Sequence, residues 1–139
     1  MTVDSSPDRA PDDRRERARF WFETLRDRIH AALEALEDAA PDALYPGAPG
    51  RFERTAWTRP EGGGGVMGMM RGRVFEKAGV HCPTVFGTFP EDYAKQVPGA
   101  AEDPRFFATG ISLIVHPANP NIPAVHMNTR MIATTKTWF

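Results

Sequence analysis

Between Thr109 and Arg130 the segment TGISLIVHPANPNIPAVHMNTR concentrates two imidazoles, a guanidinium, an amide and a hydroxyl. An arginine can clamp a carboxylate through two parallel hydrogen bonds. A histidine can move protons near neutral pH or ligate a metal. Whether these groups act together depends on where they point. TGISLIVH and AVHMNTRMIAT are β-rich runs, and in a strand alternate residues share a face. Ser112, Ile114 and His116 therefore lie together, with Leu113 and Val115 opposite. His126, Asn128 and Arg130 likewise lie together, opposite Val125, Met127 and Thr129. The Pro- and Asn-rich connection predicts an antiparallel hairpin turning about Asn119–Asn121. Setting Ser112 against Asn128 and Ile114 against His126 brings all five polar side chains to one surface. A slip of one residue would divide them and bury half of them unpaired. The competing reading is a solvated strand face.

The remaining candidates are weaker. His81 reads as a satisfied structural imidazole and His30 as a surface residue of a helix. Cys82, the single cysteine, precedes Pro83 with no base beside it and reads as a buried, inert thiol. One cysteine excludes an intrachain disulfide and a cysteine-built metal site, and fits a reducing, cytoplasmic compartment. The tract GGGG at 62–65 lacks the Lys-Ser/Thr sequel of a phosphate loop. Two readings stay open for it: backbone N–H groups approaching an anionic or flat ligand, or glycines at strand corners.

These groups need elements to hold them. Residues 1–11 are polar and aperiodic and read as a disordered tail. From Asp12 to Ala40 the pattern is helical, with Phe22, Leu25, Ile29, Leu33 and Leu36 on one face. The alternating charges of Arg14–Arg19 mark a solvated helix face rather than a basic patch. Pro41 and PGAPG at 46–50 make a linker. From residue 51 the texture is extended: RFERTAWTRP as one strand, broken by GGGG, then MGMMRGRVFEKAGVH, then PTVFGTF as another. EDYAKQVPGAAEDP is a loop with one helical turn. A helix followed by antiparallel strands is the α+β class, and 12–139 reads as part of one domain. Residues 1–50 carry 7 Lys/Arg against 11 Asp/Glu, and 51–139 carry 10 against 7, too mild a bias to indicate nucleic acid. No apolar run approaches a membrane span. The last residues, TWF, are large and aromatic where termini are usually polar, which suggests a truncated product.

RFERTAWTRPEGGGG, RGRVFEKAGVHCPTVFGTF and FFATGISLIVHPANPNIPAVHMNTR together resemble the oxygen-dependent coproporphyrinogen III oxidase family, over residues 51–139. The resemblance implies a large antiparallel sheet flanked by helices, of which this chain holds the N-terminal portion, working as a homodimer when full length. It implies oxidative decarboxylation of coproporphyrinogen III to protoporphyrinogen IX, with O2 as co-substrate and no organic cofactor. Substrate contact falls to Ser112, Asn128, Thr129 and Arg130, and proton donation to His126. His116 and His126 are grouped as ligands of a divalent metal cation. Thr129 fails the alternation test, so it would act through its backbone amide. Many members have Asn where His81 stands and His where Phe86 stands. Family members are also considerably longer, so the chain alone is expected to be inactive. The alternatives are a non-catalytic tetrapyrrole-binding fragment and a His-ligated metal oxygenase.

Overall fold

The computed structural model describes residues 11–139, with the backbone alone for 11 and 12; all of the expected tail except Pro11 lies outside the described residues. A long helix, α1 (Pro11–Ala39), precedes strands β1 (Glu53–Thr58), β2 (Gly63–Met70) and β3 (Phe75–Thr88). One helical turn, α2 (Glu91–Ala94), leads to β4 (Arg105–Pro117) and β5 (Val125–Thr134). The five strands form one antiparallel sheet in sequence order, so the α+β class expected above is observed. Among the described residues no helix is long and apolar enough to cross a membrane.

α1 lies across one face of the sheet, over β3 and β4. Phe22 is buried there against Met70, Val80 and Ile111, with Leu25, Ile29 and Leu33 packed beside it. Burying one such aromatic contributes about 1.5–3 kcal/mol. The expected stripe fails at its last member. Leu36 is exposed, and the inward position belongs to Glu37, which is 0% exposed. Its carboxylate accepts the backbone N–H groups of Gly50, Arg73, Val74 and Phe75, at 2.8–2.9 Å. Burial alone would raise its pKa, but the four donors outweigh it and hold the carboxyl below its ordinary range.

Arg73 answers from the other side. Its guanidinium donates to the carbonyls of Glu37, Ala40 and Tyr45 and pairs with Asp42. α1 has no basic residue in its last turn, so Arg73 supplies from the β2–β3 turn the positive charge that its C-terminal carbonyls attract. Residues 41–50 are thus strapped down rather than a free linker.

The strands differ from expectation at Pro83. A proline lacks the N–H that a central strand uses on one side, so the sequence suggests a break there. Instead β3 runs unbroken for 14 residues as the middle strand. The ladder to β4 pauses between His81↔Ser112 and Thr84↔Thr109, and side chains fill the pause. The Cys82 thiol donates to the Gly110 carbonyl (3.2 Å), and the Thr109 hydroxyl donates to the Pro83 carbonyl (3.3 Å). The Gly tract also contributes to a strand. Gly62 and Gly63 turn the β1–β2 hairpin at φ +130° and +85°, which only glycine adopts cheaply, and β2 begins at Gly63.

Candidate functional site

The face of the sheet away from α1 is open, and strand pairing decides who stands on it. β4 and β5 pair Ser112↔Asn128, Ile114↔His126 and Gly110↔Arg130. That register has the parity that brings Ser112, His116, His126, Asn128 and Arg130 to one surface, with Leu113 and Val115 buried behind. The pairing Ile111↔Thr129 sends the Thr129 side chain to the other face, so only its backbone is available to the site.

The floor of this face is largely apolar. A concavity of about 700 Å3 is lined by Trp57, Met67, Met69, Ile114 and the backbone of Gly79, with Lys77, His81, Ser112, His116 and His126 among them. A side chain on Gly65 would collide with the Cys82 carbonyl and meet the Trp57 indole, so the absence of a Cβ lets the indole lie against the strand. Pro83 and Ser112 also border a smaller hollow of about 130 Å3 that reaches Asn128 and Arg130.

The polar groups on this face are joined mainly to one another. Arg130 donates from Nε and Nη2 to Asn128 Oδ1 (3.3 and 3.1 Å), which aims the guanidinium and leaves the amide NH2 free to donate outward. His116 and His126 face each other with their Nε2 atoms 3.2 Å apart and rings nearly parallel. One ring donates and the other accepts, an arrangement that can pass a proton from ring to ring. Both nitrogens could reach one cation. Yet among the described residues no cluster of three His, Cys, Asp or Glu could hold a metal ion, and stable sites use three or four protein ligands. The described residues do not complete a metal site.

Residues 17–139 match the coproporphyrinogen III oxidase family profile. The chain belongs to that family. It is 50% identical over 125 residues to the oxygen-dependent coproporphyrinogen-III oxidase of Rickettsia bellii (strain RML369-C), covering 90% of this chain and 44% of the relative. It is 47% identical over 129 residues to the enzyme of the same name from Rickettsia felis, covering 91% and 45%. For Rickettsia akari the figures are 48% over 121 residues, 86% and 42%. The chain therefore spans less than half the length of these curated relatives.

For this member of the coproporphyrinogen III oxidase family, two histidines stand elsewhere than the sequence suggests. His81 is half-buried in the concavity, in register with Ser112, and makes no hydrogen bond among the described residues. The signal that could have found it was parity, hidden because the sequence was divided at Pro83. His30 is not on the surface but 3% exposed, stacked on Phe52 at 3.8 Å with neither ring nitrogen hydrogen-bonded. Burial, reinforced by Arg54 and Arg26, pushes its pKa down to about 4, so it is neutral. Cys82 is the buried thiol expected, raised by burial to about 11. Trp57, Met67, Met69 and Lys77 were missed because nothing local marks a strand residue as facing a ligand.

Proposed function

We propose that the protein oxidatively decarboxylates coproporphyrinogen III, converting two propionates to vinyl groups with O2 as the oxidant. The observation that carries this reading is the open face: an apolar floor with imidazoles at one side and an oriented guanidinium beyond them. A flat macrocycle bearing carboxylates would rest on Trp57, Met67, Met69 and Ile114 and extend a propionate toward Arg130. Arg130 would clamp that carboxylate bidentately, while Ser112, the Asn128 amide and the Thr129 backbone N–H hold the ligand in place. Each vinyl group formed releases one CO2 and delivers two electrons to oxygen. The β-carbon gives up one proton while O2 takes up two to leave as hydrogen peroxide, and His126 is assigned as the proton donor, with His116 as its relay partner at 3.2 Å. No step is assigned to a metal. His116 and His126 would be two of the donors if a divalent cation binds.

The same reading takes the protein as a cytoplasmic homodimer.

The full-length protein supplied with coproporphyrinogen III should release CO2 and yield protoporphyrin, after oxidation of the product, in air and not under argon, whereas residues 1–139 alone should not turn it over. Release that continues without O2, or no release in air, defeats the reading. Porphyrin binding without CO2 release would leave a tetrapyrrole-binding module instead.

A further inference from the structure

The concavity has a cation at the end away from Arg130. Lys77 lines it, is exposed, and forms no ion pair among the described residues. Along the regular ladder, the carboxylate sharing this face is Glu53, on β1, two strands away. Glu76, next in the chain, makes no ion pair with Lys77 either.

How Lys77 reaches this face is unusual. Phe75 pairs with Pro117 and is buried in the core under α1, whereas Lys77 pairs with His116 on the open side. In a regular strand, residues two apart point the same way. The register shift between Phe75 and Lys77 inserts Glu76 as an extra residue and reverses that parity. Such bulges bend a strand and re-aim a side chain, often beside a binding site. Without this one, a lysine would be driven toward the core or a phenylalanine out of it. A solvated surface lysine needs no such device.

Spacing supplies the ligand chemistry. Lys77 lies opposite His116 on β4, and Arg130 lies opposite Gly110. At the usual rise and strand separation their backbones are about 20 Å apart, and two long side chains reaching inward shorten the gap between the charges. A flat ligand carrying carboxylates on opposite edges would engage both.

We propose that Lys77, delivered by the bulge at Glu76, is a second carboxylate-binding residue of the site, holding the edge of the tetrapyrrole opposite the one clamped by Arg130. The ligand's identity rests on the function proposed above; the anion-binding role rests on the bulge and the concavity.

The test titrates the full-length parent, Lys77→Met and Lys77→Arg with coproporphyrin III, the stable fluorescent tetracarboxylate, and measures turnover of coproporphyrinogen in parallel. Lys77→Met should bind about fivefold more weakly with a shallower salt dependence, and Lys77→Arg should stay within about twofold of the parent. Unchanged affinity in Lys77→Met, or an equal loss in Lys77→Arg, overturns the assignment. Turnover by the parent together with Lys77-independent binding removes Lys77 and leaves the oxidase reading intact. Lys77-dependent binding without turnover does the reverse. Neither binding nor turnover in the parent defeats both.

Discussion

On the α1 side of the sheet, Glu37 accepts four backbone N–H groups and meets no solvent; on the other side, Arg130 meets one amide and stays exposed. The histidines repeat the contrast. His30 is enclosed, stacked and neutral, while His116 and His126 are exposed and bonded only to each other. A buried polar group must be satisfied or discharged where it sits, because the low-dielectric interior offers no second chance. Polar groups above an open apolar floor carry no such obligation, and their free donors remain available to a ligand. The covered face should therefore govern stability and the open face affinity and rate.

The largest test of that division is Glu37→Ala. Four backbone donors lose their partner in a buried site, which should cost about 3–5 kcal/mol in urea unfolding. A loss below 1 kcal/mol would mean that water replaces the carboxylate and that the cluster is not a structural centre. The sign with pH follows from the lowered pKa of Glu37: its contribution is present above the carboxyl's unfolded pKa and fades as pH falls through the folded value.

His30 gives the next effect, in a different window. Its pKa falls from 6.5 to about 4 on folding, so between those values the unfolded chain binds the extra proton. Stability should drop by about 3 kcal/mol as pH is lowered across that interval and level off below it. In His30→Leu that component of the slope should vanish. An unaltered slope from pH 6.5 to 4 would show that the imidazole is not held neutral.

Arg130→Lys probes the open face. An ammonium cannot reproduce the bidentate geometry, so turnover of the full-length protein should fall ten- to a hundredfold, about 1.5–3 kcal/mol. The unfolding free energy should change by less than about 0.5 kcal/mol, because Arg130 is exposed. Kinetics within twofold of the parent would take Arg130 out of the site; a large fall in stability would break the division between the faces. The smallest effect expected is at Cys82. With its pKa raised to about 11 and its thiol donating to Gly110, it should react with a thiol reagent at pH 8 only after denaturant is added. Fast labelling of the native protein would show the covered face to be open.

The hairpin's facing was legible in the sequence, because alternation along TGISLIVH and AVHMNTRMIAT leaves only pairings of one parity that keep Leu113 and Val115 inside and the polar residues together. A turn about Asn119–Asn121 selects among them the pairing of Ser112 with Asn128. The α1 stripe was legible through Leu33 and failed at Leu36, since periodicity counts apolar residues and cannot foresee a carboxylate drawn inward by N–H groups from residues 50 and 73–75. Local pattern determines which way neighbouring residues alternate. It does not determine where an alternation is interrupted. Pro83 continued a strand that propensity would stop, because Cys82 and Thr109 took over the missing bonds, and the bulge at Glu76 turned Lys77 from core parity to the open face. Only the tertiary structure could decide those two points and the placement of His81 and His30. Each depends on partners distant in sequence, whose bonds exist only after the sheet has formed.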